Sequence, residues 1–316
     1  MRILVSCANG SGTSLMMMRS VEKAMKELGV PITKIHHCAI SEGKSSASQY
    51  DVVFTPVNFL QMFQQAEKRG VTVIGIKNVM SAKEIQEKYM ASDRFKNLNK
   101  RVGKMKRPNL QIALDHNSLE DALADCMKVG EIVDIIEVGT ILCLQEGQKA
   151  IRCLKRMFPN KTIVADTKCA DAGGTVARNV AQAGADFMTV ICCATLPTMA
   201  AAQKEVRELQ VELYGDWTMQ QARQWRELGI NQVIYHQSRD ALLAGGSWGE
   251  KDLNKVQELI DLGFEVSVTG GLTVETLELF QTMAVATFIA GRGITESKNP
   301  EQAAKDFQKK IDQIWK

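Results

Sequence analysis

The residues able to do chemistry gather at the ends of short apolar runs. Asp115 ends the run Gln111–Leu114, Glu137 lies in Asp134–Val138, and Asp166 follows Thr162–Ala165 with Lys168 and Asp171 just beyond. Glu212 lies in Val211–Leu213, and His236 ends Gln232–Tyr235 with Arg239 beyond. Thr269-Gly270-Gly271 follows Glu265–Val268, and Gly291-Arg292 follows Thr287–Ala290. A charge at one strand end is commonly a surface ion pair. Charges ending most strands of one sheet destabilise it unless something binds there.

Three sub-sites can be read from the residue types. Glu137 and Asp166 are hard oxygen donors suited to Mg²⁺; the alternative, a carboxylate pair neutralised by Lys168, weakens because Asp115 and Asp171 add further negative charge to that one cation. The glycines at 270, 271 and 291 let backbone N–H groups approach a phosphate, which Arg292 can grip with two parallel hydrogen bonds. His236 and Arg239 make a proton-delivery pair, a role that rests on position because an isolated histidine is more often structural.

A fourth candidate lies near the N-terminus, in Cys7-Ala8-Asn9-Gly10-Ser11-Gly12-Thr13-Ser14. A thiol between a strand and a helix start meets backbone N–H groups and the positive end of the helix dipole, which favours thiolate and suits a phosphoryl group. The loop lacks the Gly-Lys-Ser/Thr ending of a Walker A motif, and Arg19 is too distant to act as a phosphatase arginine. A buried strand-end cysteine before an ordinary glycine turn is the alternative. His36 and His37 beside Cys38 could suggest a metal site, but strand-face or surface histidines are the preferred account.

These residues need two different scaffolds. Ile3–Ser6, Ile35–Ile40, Val52–Thr55 and Val71–Ile76 are apolar runs separated by helical patterns at Leu15–Leu28 and Phe59–Arg69, the former stopping at Gly29-Val30-Pro31. They predict a small, doubly wound, mostly parallel α/β sheet over 1–90. Residues 91–107 form a polar, basic linker; a solvated segment explains it better than nucleic-acid binding. From 108 to 316, eight apolar runs alternate with helical segments at the spacing of βα units, predicting a (β/α)8 TIM barrel, with an open doubly wound sheet as the alternative. In a barrel, all the charged strand ends face the same C-terminal mouth.

Composition bounds the rest. A net charge of +3 over 316 residues gives no footprint for nucleic acid. No apolar run approaches a membrane span, and the N-terminus reads directly into a strand, with no signal peptide. Eight scattered cysteines with no CxxC spacing suggest reduced thiols and a cytoplasmic protein.

Four segments carry a family resemblance: Asp134-Ile135-Ile136-Glu137-Val138-Gly139-Thr140, Ala165–Gly173, Tyr235–Ala241 and Thr269-Gly270-Gly271-Leu272. The barrel resembles the 3-keto-L-gulonate 6-phosphate decarboxylases of the orotidine 5′-monophosphate decarboxylase suprafamily. This implies Mg²⁺ on Glu137 and Asp166 and substrate phosphate on the glycine loops and Arg292. Loss of CO₂ would leave an enediolate beside Lys168, water held by His236 and Arg239 would protonate it, and L-xylulose 5-phosphate would result. Asp115 and Asp171 would orient Lys168 and substrate hydroxyls, while Glu212 and Thr269 match the decarboxylase pattern of substrate contacts. The resemblance also implies a homodimer in which Asp171 reaches the partner's site. Gln237 departs from the pattern where some relatives carry a second basic residue. A hexulose 6-phosphate synthase using the same enediolate chemistry is the enzymatic alternative.

Residues 1–89, through the Cys7 loop and Cys38-Ala39-Ile40-Ser41-Glu42, resemble the IIB component of the bacterial phosphotransferase system, most closely its ascorbate-type branch. Cys7 would then receive a phosphoryl group from a IIA partner and pass it to sugar arriving through a membrane IIC partner. A sensor of transport flux is the alternative for this domain, and a passive scaffold the alternative for the barrel.

Overall fold

The structure, a computed structural model, describes residues 1–8, 12–28, 30, 32, 34–96, 105–237 and 245–315. Arg239, the loop residues 9–11, the helix-stop residues Gly29 and Pro31 and the linker residues 97–104 lie outside the described residues. The chain divides into two compact units, Met1–Lys104 and Met105–Lys316. Among the described residues no helix is long and apolar enough to cross a membrane.

The first unit is a four-stranded parallel sheet of β1 (Arg2–Cys7), β2 (Lys34–Ala39), β3 (Val52–Pro56) and β4 (Thr72–Ile76) in the order β2-β1-β3-β4. Period-two alternation splits β1 between two cores. Ile3, Val5 and Cys7 pack with Met17, Val21, Ala24 and Met25 of the helix Thr13–Glu27, and with Ile85 and Tyr89 of Ala82–Ala91. Leu4 joins Cys38, Val53 and Phe63 on the other face. The helix expected over Phe59–Arg69 is instead a 3-10 turn, Val57–Phe63, followed by one short α-turn, Gln64–Glu67. The reason is packing. Three residues per turn put Val57, Leu60 and Phe63 on one side, and Leu60 fills the space over Gly75, where a Cβ would lie 2.7 Å from its Cδ1.

The second unit is a closed, all-parallel barrel of β5 (Asn109–Leu114), β6 (Ile135–Val138), β7 (Thr162–Cys169), β8 (Phe187–Ile191), β9 (Glu208–Leu213), β10 (Gln232–His236), β11 (Glu265–Thr269) and β12 (Val285–Ala290). Neighbours in sequence pair in space, and β12 closes on β5. Alternation again sorts the side chains. Leu110, Ile112 and Leu114 of β5 pack outward into the main core under the helices, whereas Ala113 meets Ile234 and Ile289 in a separate small cluster. Ile234 and Ile289 come from strands that are not neighbours of each other, so the cluster lies across the barrel interior. The buried polar side chains Gln111, Glu137, Asp166, Thr189, Gln210, Glu212, Ser267 and Thr287 share its strand phase.

Candidate active site

The C-terminal mouth of the barrel is a cleft of about 860 Å³, lined among others by Asp115, Glu137, Asp166, Lys168, Glu212, His236, Thr269, Gly270, Gly271, Gly291 and Arg292. The expected site residues are thus brought together from separate strands, with two exceptions. Asp171 is exposed after β7 and does not line the cleft of its own chain, and Arg239 is not described.

Lys168 sits at the centre. Its Nζ lies 2.6 Å from Asp166 Oδ2 and 2.8 Å from Glu212 Oε2. Burial opposes its charge, yet these two carboxylates raise its pKa above the ordinary lysine value. Its backbone has φ +44°, the left-handed region that side chains disfavour. The β7–β8 register shifts between Ala165 and Cys169, and the Lys168 N–H donates to Thr189 Oγ1 at 2.9 Å, which holds this irregular strand end in place. Within the chain the ion pairs that hold Lys168 come from Asp166 and Glu212, while Asp115 lines the same cleft. Asp115 accepts from the Ile141 N–H at 3.5 Å and crowds Gly139, where a Cβ would lie 2.3 Å from its Oδ1.

The two expected metal carboxylates differ in state. For Asp166, burial alone would raise the pKa. The charge of Lys168 and hydrogen bonds from Lys168, Thr140 (2.5 Å) and Thr189 (2.7 Å) outweigh burial and hold it below the ordinary value. Glu137 is pushed well above the carboxylate range, first by burial and then by the negative charges of Asp166 and Asp115. Its Oε2 accepts from Gln111 Nε2, and Lys168 forms its ion pairs with the other two carboxylates. Neutralisation by Lys168 therefore accounts for Asp166 and leaves Glu137 as a buried carboxylate in excess. A hard cation fits that deficit, and the oxygen donors are of the right kind.

Glu212 links the lysine to the histidine. As a carboxylate it can only accept, so His236 presents Nδ1–H to Glu212 Oε1 at 2.6 Å and leaves Nε2 for other partners. Tyr214 Oη lies 2.9 Å from Nδ1 and 3.2 Å from Nε2, with its ring tilted against the imidazole at 4.6 Å. Burial, and then Glu212, raise the tyrosine pKa, so its hydroxyl stays protonated. Across the mouth, Gly270 (φ +99°) and Gly271 (φ +62°) turn the chain after β11. A Cβ on Gly270 would lie 2.2 Å from the Gln237 carbonyl oxygen, so only glycine fits there. Trp248 Nε1 donates to the Gly270 carbonyl at 2.8 Å and braces the loop. Gly291 and Arg292 follow β12 at the head of the short helix Arg292–Thr295, and Arg292 is exposed to the cleft.

Sequence reasoning missed Thr140, Thr189, Tyr214 and the pair His116–Asp125, whose Nε2 and Oδ2 lie 3.0 Å apart at the cleft wall. Thr140 closely follows the Glu137 strand and Tyr214 the Glu212 strand, so counting uncharged polar residues at strand ends would have found both.

In the first unit, Cys7 is buried at the C-terminal end of β1, and Gly12 enters the next helix at φ +57° with no side-chain cap. His37 Nδ1 lies 3.1 Å from Ser14 Oγ in that helix's first turn. His36 is not an isolated surface histidine: its Nε2 lies 3.1 Å from Glu42 Oε1.

A family model described as orotidine 5′-phosphate decarboxylase / HUMPS matches residues 108–307. The 3-keto-L-gulonate-6-phosphate decarboxylase SgbH of Escherichia coli K12 is 49% identical over 215 residues, covering 67% of this chain and 98% of that protein. A crystal structure of KGPDC from Streptococcus mutans is 60% identical, with a TM-score of 0.66, and covers 67% of this chain and 100% of that one. The 3-hexulose-6-phosphate synthase structure from Salmonella typhimurium is 27% identical with a TM-score of 0.62, covering 65% of this chain and 99% of that one. Residues 2–90 match a model described as the lactose/cellobiose-specific IIB subunit of the phosphotransferase system. That description corrects the ascorbate-type assignment.

Proposed function

The chain belongs to the orotidine 5′-phosphate decarboxylase / HUMPS family, and from that premise we propose that its barrel decarboxylates 3-keto-L-gulonate 6-phosphate to L-xylulose 5-phosphate. The observation that carries this is the clamp of Lys168 between Asp166 and Glu212, with Glu212 also holding His236. Backbone N–H groups of the glycine loops and Arg292 bind the phosphate and fix the sugar chain along the cleft. Glu137 and Asp166 hold Mg²⁺, which when bound supplies a further positive charge to the substrate oxygens. As CO₂ leaves, negative charge develops on the substrate, and the Lys168 ammonium stabilises it in a site already organised around that cation. His236, kept by Glu212 with Nε2 available, delivers a proton through water to the carbanion beside Thr269 of the cleft wall, and Arg239 is the second residue assigned to that water from the sequence. Asp171, exposed and outside its own cleft, is available to a second copy of the chain, and a homodimer joined through the barrels completes both sites.

The N-terminal unit acts as the phosphocarrier of a sugar phosphotransferase system. Cys7 accepts a phosphoryl group from a IIA protein and delivers it to sugar at a membrane IIC protein. Uptake with phosphorylation and later carbon–carbon cleavage then reside on one polypeptide, which acts from the cytoplasmic side.

The deciding experiment measures CO₂ release from 3-keto-L-gulonate 6-phosphate by the purified chain, with and without Mg²⁺. Turnover that requires Mg²⁺ and is lost in Glu137→Gln supports the assignment. Faster condensation of formaldehyde with ribulose 5-phosphate than decarboxylation would reassign the barrel as a hexulose 6-phosphate synthase. For the carrier, labelling from phosphorylated IIA should appear on the wild type and disappear in Cys7→Ser; label on His36 instead would refute Cys7.

A further inference from the structure

We infer that His36, Cys38 and Glu42 form a binding site for a transition-metal dication of the zinc class, on the sheet domain and apart from the barrel. Strand period places His36 and Cys38 on the same face of the edge strand β2. Glu42 comes from the first turn of the helix Ile40–Ser46 that follows directly, so the reversal of chain direction brings its carboxylate back over that face. One nitrogen, one sulfur and one carboxylate oxygen then lie within 4.8 Å of one another.

The geometry is close to that of a bound ion. Tetrahedral zinc with bonds of roughly 2.0–2.3 Å sets its ligand atoms roughly 3.3–3.6 Å apart. His36 Nε2 and Glu42 Oε1 already lie 3.1 Å apart, and the sulfur needs only a side-chain adjustment to join them. Cys38 Sγ is buried, with a weak contact to Ser6 Oγ at 3.9 Å. Gly43 lets the helix start pack directly over this strand, since a Cβ there would lie 3.3 Å from the sulfur and 2.4 Å from Ser6 Oγ. An ordinary surface ion pair explains His36 with Glu42, and an ordinary core cysteine explains Cys38. Neither explains why all three converge.

The donor set decides the class of ion. A thiolate with an imidazole selects zinc-like ions over Mg²⁺ or Ca²⁺, and the carboxylate is a common third ligand. Coordination forms the metal–sulfur bond as the thiol proton leaves to solvent, and the fourth position remains for water. Cys38 pairs in register with Ser6, the residue before Cys7. An ion there ties β2 to the following helix beside the strand that ends at the carrier cysteine.

Cobalt(II) titration of the metal-free full-length protein tests the site. The expected result is one thiolate-to-cobalt charge-transfer band per chain, displaced by Zn²⁺. Cobalt held by Glu137 and Asp166 in the barrel has oxygen ligands and gives no such band. Cys38→Ser should abolish the band and Cys7→Ser should retain it. His36→Ala, at a half-exposed position that spares the core, should weaken cobalt binding at least ~10-fold. No band in the wild type, a band that survives Cys38→Ser, or unchanged affinity in His36→Ala would overturn the site.

Discussion

Lys168 is held between two buried carboxylates, 2.6 Å from one and 2.8 Å from the other, whereas Cys7 is a single buried thiol among apolar neighbours. In the barrel, each charged group sets the state of the next, so the site exists before substrate arrives. Asp166 is held ionised by Lys168, and Lys168 is held protonated by Asp166 and Glu212. A thiol packed among apolar side chains makes few demands on its surroundings. The central group of the barrel site is therefore coupled to fold stability, and the central group of the sheet unit is barely so.

The largest test of that contrast removes each central group. Lys168→Ala leaves Asp166 and Glu212 buried without their cation, and should lower stability by ~3–5 kcal/mol while abolishing decarboxylation. Cys7→Ala removes one sulfur atom from a core and should lose only about 1 kcal/mol while abolishing phosphoryl transfer. Denaturant unfolding of each variant measures both losses. Equal losses would break the comparison.

A smaller effect separates two glycines of like backbone sign. Gly12 has φ +57° and no atom within 4 Å of the position a methyl group would take, while at Gly270, φ +99°, that methyl would lie 2.2 Å from a backbone carbonyl oxygen. Gly12→Ala should lose roughly 1–3 kcal/mol, the cost of a sparsely populated positive-φ backbone alone, since its ψ is −73°. Gly270→Ala adds overpacking of roughly 1–3 kcal/mol and should also raise KM, because the loop that grips phosphate must move. An unchanged KM would remove Gly270 from the phosphate site.

Strand ends were legible because alternation and a terminating charge leave a pattern in one dimension. Asp115, Glu137, Asp166, Glu212 and His236 are all visible that way, and they do meet in one cleft. What stayed hidden depends on three dimensions. Thr140 and Thr189 come from different segments, and their hydroxyls matter only because both reach Asp166. The left-handed backbone of Lys168 follows from a shifted register that no residue type announces. Asp171 lies only three positions beyond Lys168, yet a turn carries it out of the cleft. In the sheet domain, Glu42 meets His36 across a strand-to-helix reversal, so adjacent histidines could be noticed and their partner could not.

The smallest effect expected has the opposite sign. Burial and the negative charges of Asp166, Asp115 and Glu212 raise the Glu137 pKa above its ordinary value of 4.5. A carboxyl that is harder to ionise in the folded chain makes no difference below the unfolded pKa. As pH rises through and beyond that value, the unfolded chain ionises freely and the folded one resists, so stability falls. Asp166 behaves in the reverse sense, since its lowered pKa stabilises the fold at neutral pH and that contribution is lost in acid. In metal-free protein, Glu137→Gln should therefore raise Tm at pH 7, and the gain should shrink as pH approaches about 4.5. Mg²⁺ should raise Tm for the wild type and leave the variant unchanged, because the ion and the amide relieve the same excess charge. Cys7→Ser, which leaves the barrel carboxylates intact, should keep the wild type's Mg²⁺ response and show no metal-free gain at pH 7. A metal-free Glu137→Gln protein less stable than wild type at pH 7 would mean that the carboxylate is already compensated within the barrel, and the electrostatic case for a cation there would fall.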